Sequence, residues 1–300
     1  MKKIIIAGGS GFLGQVLENY FNTKGYEIKI FTRYPKKEND VLWNAKDLGN
    51  WTNELETAEV LINLTGKSVD CRYNENNKKL IYNSRIDSTK ILGEAIKKCN
   101  NLPKIWINSS TATIYKHSLN KEMTEEAGEI GDDFSMNIAK SWEKVFYSIT
   151  NPKTRKIVLR TSIVLGKYGG ALIPLKNLTQ FGLGGKQGNG NQKVSWIHEL
   201  DFARAVAFLI ENEKLNGNFN LSVPKPTNNK TLMKTLRKTM NIPIGISHPK
   251  WLLNIGAKMI GTETELVLKS RNVIPKRLLD SGFAFKYTCI NDALRNLIKN

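Results

Sequence analysis

At 300 residues, with 40% hydrophobic and 24% charged side chains, the chain is long enough to bury a substantial core, and no stretch approaches a membrane span. The formal charge of +18 comes from lysines scattered among Asn and Ile rather than gathered into a motif, which favours attraction of small anions and argues against a nucleic-acid partner. Cys71, Cys99 and Cys289 are odd in number and widely spaced, so neither a disulfide framework nor a metal site is expected, and a cytoplasmic home is the simplest one.

The Met-Lys-Lys start is followed by only four apolar residues before Gly8 and Gly9, too few for a signal peptide. Ile4, Ile5 and Ile6 instead predict a short strand buried on both faces. Gly8, Gly11 and Gly14 recur every third residue, and Phe12, Leu13, Val16, Leu17, Tyr20 and Phe21 continue as the apolar stripe of a helix. Strand, glycine turn and helix in that order form a dinucleotide-binding signature. One glycine makes the turn, one admits a pyrophosphate, and one lets the helix pack on the sheet. Gly9, Ser10, Phe12 and Leu13 share this cofactor-facing segment. The fold class expected is α/β, a Rossmann-type doubly wound parallel sheet with a smaller C-terminal substrate-side domain.

A second strand is predicted over 27–32, ending at Thr32 and Arg33 where an NAD-preferring site would carry a carboxylate. Arg33 can pair with a 2′-phosphate, so NADP(H) is preferred over NAD(H). The next strand, over 60–64, delivers Leu64, Thr65 and Gly66 to the cofactor backbone to backbone. A helix follows over 81–98; in it Arg85 reads equally as a cofactor-side cation or as a surface salt-bridge partner. The strand over 104–109 brings Ser109, Ser110 and Thr111 to its carboxyl end, where a hydroxyl can bond a reacting oxygen. Lys140 lies on a helix predicted over 135–145, where its charge can reach the nicotinamide ribose.

The combination of GGSGFLG, NLTG, SSTATIY and the Lys140 helix resembles the extended short-chain dehydrogenase/reductases of the NAD-dependent epimerase/dehydratase group. The resemblance implies a catalytic Ser or Thr, a Tyr, and a Lys four residues after the Tyr. Thr111 takes the first place and Lys140 the last, which leaves Met136 where the tyrosine belongs, and methionine moves no proton. Tyr115, four residues after Thr111, is the nearest substitute acid, or else a packed ring at the strand end.

The segments RTSIVLGKYGGAL, GLGGKQGNGNQKVSWIHELD and SRNVIPKRLLDSGFAFKY narrow the resemblance to a subfamily with an appended C-terminal domain of unknown function. Some plant and cyanobacterial relatives carry a cell-division or plastid-division label.

A strand over 157–165 presents Arg160 as a further cofactor-side residue. The family commonly has an Arg just before the aromatic residue of the glycine loop, where it holds a nucleotide-sugar diphosphate; here the residue is Val194, which argues against such a substrate. Gln192 and Trp196 are the expected pocket-lining residues. His198 is read as a structural hydrogen-bonding residue ahead of a catalytic one, and Asp201 as a cap of the helix predicted over 202–210. A strand over 217–223 and helices over 230–240, 249–260 and 263–268 complete the chain.

The expected division is 1–165, with 190–223 returning to it, as an NADP(H)-binding Rossmann domain, and 166–189 with 224–300 as the substrate-side domain. The function expected is an NADP(H)-dependent epimerase-like oxidoreductase acting on a small molecule, with a homodimer left open. The alternative is a non-catalytic NADP(H)-binding regulatory or interaction protein.

Overall fold

Three consecutive β-branched residues put apolar groups on both faces of a strand, and Ile4, Ile5 and Ile6 are fully buried in β1 (Lys3–Ala7). The computed structural model describes residues 2–261 and 263–299, apart from the side chains of 256–260 and 266. In chain order α1 (Phe12–Asn22), β2 (Glu27–Thr32), β3 (Asp40–Leu42), β4 (Val60–Asn63), α2 (Glu75–Lys98), β5 (Ile105–Thr111) and α3 (Phe134–Ser148) follow β1. Next come β6 (Arg155–Thr161), β7 (Ile163–Leu165), α4 (Leu172–Gln180), β8 (Lys193–Val194), β9 (Trp196–His198), α5 (Glu199–Glu211) and β10 (Gly217–Leu221). The remainder is β11 (Thr227–Asn228), α6 (Asn229–Thr239), α7 (Lys250–Ile260), α8 (Glu265–Leu268), α9 (Lys276–Asp280) and α10 (Ile290–Lys299).

The main sheet has the order β10-β6-β5-β4-β1-β2-β3, and every pairing in it is parallel. The chain builds outward from β1 to β3, then crosses back to β4, so the order reverses beside β1. That switch point opens the crevice in which such sheets bind ligands. Alternate residues of β1 feed opposite cores. Ile4 and Ile6 pack with Leu17 and Phe21 of α1 and with the apolar face of α5; Ile5 and Ala7 pack with Ile91 to Ile96 of α2 and Phe146 of α3. A third core joins Leu172, Val194, Trp196, Leu232, Leu236 and Leu294, which ties α4, α6 and α10 together.

Several element boundaries differ from those expected. The strand predicted over 157–165 is two strands, because Ser162 leaves the sheet: its N–H and hydroxyl both donate to Leu221 O, and β7 pairs with β9 instead. Helix α2 begins at Glu75, capped by Asn74, whose side chain accepts from Asn77 N at 2.8 Å. Helix α5 begins at Glu199 because His198 is its cap, with Nδ1 accepting from Leu200 N at 3.0 Å. Asp201 is therefore not the cap. It lies fully buried in the first turn, where it accepts from the backbone N–H of Lys286 and Tyr287 and pairs with Arg204 at 2.6 Å.

Candidate cofactor and reaction site

The turn after β1 is shaped by what it lacks. Gly8 has φ 73, and a Cβ there would lie 2.9 Å from Thr65 Cα, so the β4 loop rests directly on the turn. A Cβ on Gly14 would meet Gly9 O at 2.1 Å, which is how closely α1 seats against the turn. At Gly11 the nearest atom to such a Cβ is 3.9 Å away, so the space above it is open. Gly11 is also the cap residue of α1, with no side-chain cap bond and no acidic residue in the first turn. The start of α1, at the positive end of its dipole, is thus left without a capping side chain.

Around this cradle Thr65 Oγ1 is buried beside Gly8 with no hydrogen-bond partner, while Thr65 N is held by Asn63 Oδ1 at 3.1 Å. Leu64 N donates to Ala7 O, which locks the β4 loop to the end of β1. Thr32 and Ser10 join hydroxyls at 3.4 Å, linking the end of β2 to the glycine turn. Arg33 is exposed at the mouth beside the Tyr34 ring, whereas Lys37 is paired with Glu18 at 2.8 Å. The Phe12 ring is covered by the loop Gly166–Gly170; a Cβ on Gly169 would lie 2.3 Å from it. Leu13 packs against the core beneath.

At the end of β5 the expected residues divide. Thr111 remains at the strand end, its hydroxyl bonded to Thr113 Oγ1 at 2.8 Å, and Ser109 is half-buried beside it. Ser110 faces the other way and donates to Glu143 Oε1 at 2.7 Å. Glu143 also holds Arg160 through Nε at 2.9 Å and a terminal nitrogen at 2.7 Å. The other Arg160 nitrogen donates to Tyr115 Oη at 2.8 Å, and that hydroxyl donates in turn to Asn220 Oδ1 at 2.9 Å.

Ser110, Tyr115 and Arg160 are therefore a buried network under the site rather than its contact surface, which corrects the role expected for all three. Tyr115 is 0% exposed, and both functions of its hydroxyl are committed inside the protein. Two pocket-lining expectations are corrected likewise. Gln192 Nε2 donates to Gln187 O at 2.8 Å, and Trp196 is buried in the third core with Val194.

Helix α3 changes the reaction-site reading further. Lys140 Nζ pairs with exposed Asp132 at 2.6 Å, and Met136 turns its sulfur onto Gly131. The buried residues Ser135, Ala139 and Glu143, four apart, form the face toward the β5 end, where Ala139 joins the cluster of Ala112 and Tyr115. So neither a tyrosine nor a lysine comes from this helix, which corrects the place given to Lys140.

Arg85 is not a surface salt-bridge residue. Its guanidinium lies flat on Gly66, where a Cβ would approach Cζ to 3.0 Å, and sits 5.2 Å from the Trp142 ring centroid. It donates to Lys67 O at 3.1 Å and Ile81 O at 2.9 Å. Burial draws its pKa down to about 10, so it stays charged at neutral pH. His198 stacks on Tyr287 at 3.9 Å and contacts Asn296 Oδ1 at 3.1 Å, and burial pushes its pKa down to about 4.

Four residues not singled out from sequence belong to this neighbourhood: Glu143, Ser135, Tyr73 and Glu265. A glutamate at the end of a four-residue spacing on an otherwise apolar helix face was the available signal for Glu143. Among the described residues no His, Cys, Asp and Glu cluster fits a metal, and no helix is long and apolar enough to cross a membrane. A depression of about 500 Å³ between Lys104, Tyr147, Arg155 and Gly217 lies at the amino ends of the strands, away from the cradle.

A parallel sheet with its switch point at a glycine turn and an uncapped helix defines an NAD(P)-binding Rossmann protein. The chain belongs to the NAD-dependent epimerase/dehydratase family, which residues 4–222 match, and residues 248–297 match a domain of unknown function, DUF1731. An epimerase family protein of Staphylococcus aureus (strain NCTC 8325) is 34% identical over 306 residues, covering 100% of both chains. The epimerase family protein YfhF of Bacillus subtilis is 33% identical, covering 98% of this chain and 97% of its own. The structure of human epimerase family protein SDR39U1 with NADPH superposes with TM-score 0.88 at 26% identity, covering 99% of each chain.

Proposed function

We propose that this protein is an NADP(H)-dependent oxidoreductase acting on a carbonyl or alcohol of a small molecule. The observation that carries the cofactor choice is the end of β2. Thr32 stands where a ribose-binding carboxylate would repel a 2′-phosphate, and exposed Arg33 follows it beside an open cradle. The NADPH held by the human relative supports the same choice. Gly8 to Gly14 and the α1 N-terminus would hold the pyrophosphate, Thr65 and Gly66 would approach the nicotinamide half, and Arg33 would meet the 2′-phosphate. When bound, NADPH supplies the hydride; the protein orients it and handles the proton. A cytoplasmic location accords with this reading, since Cys71, Cys99 and Cys289 are unpaired.

The experiment is a parallel titration with NADPH and NADH, followed by nicotinamide fluorescence, on wild type and Arg33→Asp. The expected result is tighter binding of NADPH, weakened roughly tenfold or more in Arg33→Asp with NADH unchanged or improved. Equal affinity for both nucleotides in wild type would remove the NADP(H) preference.

A second reading is favoured by one feature: α3 offers Ser135 and Ala139 to the site, so the protein would bind NADP(H) as a sensor without turnover. A screen of aldehydes and ketones with NADPH separates the two.

A further inference from the structure

A guanidinium carries its N–H donors in one plane, so a fold that engages only some of them leaves a shaped place for an acceptor. Arg85 of α2 is half-buried, and both hydrogens of its Nη1 are engaged, by Lys67 O at 3.1 Å and Ile81 O at 2.9 Å. Its Nε and Nη2 make no hydrogen bond among the described residues, and neither atom is shut away from solvent, so that edge of the guanidinium is open. Among the described residues no carboxylate pairs with the side chain, whereas buried Arg160 has Glu143 and half-buried Arg204 has Asp201.

Direct contacts lead from the glycine turn to this edge. A Cβ on Gly8 would lie 2.9 Å from Thr65 Cα, and on the next residue, Gly66, a Cβ would come within 3.0 Å of Arg85 Cζ and 3.2 Å of Nη2. The Trp142 ring of α3 stands 5.2 Å from Cζ, and its Nε1 donates to Thr89 Oγ1 at 2.9 Å. Thr89 also accepts from Asn63 at the end of β4, and Asn63 donates to Asn108 of β5 at 2.8 Å. The guanidinium is thus seated at the carboxyl ends of β4 and β5, one residue from the loop that rests on the cradle, where open α/β sheets bind their ligands.

Resting on the reading of this site as an NADP(H)-dependent reductase, we propose that its substrate carries a carboxylate, which Arg85 receives side-on through Nε and Nη2. The N–H bonds on that edge are parallel and coplanar, and a carboxylate presents two oxygens in one plane, so the two fit as a bidentate pair. The backbone carbonyls on Nη1 and the Trp142 ring fix the guanidinium before the ligand arrives, which lowers the entropy lost on binding. A half-buried cation without a counter-ion is costly, and an arriving anion offsets that cost. The substrate class is therefore an oxo acid, or the matching hydroxy acid in the reverse direction.

The test uses the full chain labelled with ¹⁵N-arginine and saturated with NADP⁺, in which the Nε–H resonance of Arg85 is assigned by its loss in Arg85→Lys. Acetate should shift that resonance saturably, acetamide should leave it in place, and inorganic phosphate should shift it less than acetate does. With NADPH and a panel of oxo acids and their methyl esters, the wild type should favour the acids roughly tenfold or more in kcat/KM. Arg85→Gln should erase that preference while NADPH affinity stays within about twofold. An Arg85 resonance indifferent to acetate overturns the proposal, as does a stronger response to phosphate or an equal kcat/KM for acids and esters. A loss of NADPH affinity of roughly tenfold in Arg85→Gln would assign Arg85 to a cofactor phosphate, which overturns the proposal and leaves the cofactor reading standing. A chain that binds no NADPH overturns both.

Discussion

Glu143 and Arg160 show how a single residue decides whether a polar group serves a ligand or the fold. Both are nearly fully buried, and their paired hydrogen bonds join β6 to α3 directly beneath the site. Glu143→Gln leaves Arg160 charged without its counter-ion, and should cost about 3–5 kcal/mol in urea unfolding. Replacing both together, by Glu143→Leu with Arg160→Met, should recover most of that loss. The sequence pointed to Ser110, Tyr115 and Arg160 because they are polar and near strand ends. It did not say which side of the pleat each faces. Side chains alternate along a strand, so Ser110 must oppose its neighbours Ser109 and Thr111. Only the partner, a glutamate more than thirty positions away, made that orientation visible.

A helix or a turn exposes a different kind of legibility. The glycine cradle was readable in full, because strand, spacing and apolar stripe agree on it. Two substitutions there should part company. Gly14→Ala drives a methyl into Gly9 O and should lower stability by several kcal/mol, measured by thermal unfolding. Gly11→Ala meets only Gly8 O, at an ordinary contact distance of 3.9 Å, so the unfolding temperature should hold while NADPH affinity falls at least tenfold in the fluorescence titration. Helix α3 was readable as a helix but not in its rotation. A shift of one residue turns the face by about 100°, which separates Met136 and Lys140 from Ser135 and Ala139. The first turns of α2 were missed because 75–80 is polar apart from Leu80, and only the Asn74 cap marks the start.

At the scale of the molecule, the apolar runs mark the strands of the sheet and the apolar faces of α6 and α10 mark the third core, while the stretch between α9 and α10 is placed by polar contacts that no periodicity reveals. Buried Asp201 anchors the segment at Lys286 and Tyr287, and His198 beside it stacks on the same tyrosine. His198 has its pKa lowered from 6.5 to about 4, so its share of stability is present above pH 6.5 and is lost as the pH falls toward 4, because the unfolded chain takes up the proton first. That share is on the order of 3 kcal/mol. His198→Asn can keep the cap on α5 but should flatten the fall in unfolding free energy between those pH values, measured against wild type. The order of the chain carries one more implication. The glycine cradle and the β4 loop that rests on it lie within the first 66 residues, and β10 is added last at the sheet edge. A ribosome delivers the amino end first. The cradle can thus take shape while the far edge of its sheet is still unwritten, so a stalled nascent chain should already present the glycine turn to solvent.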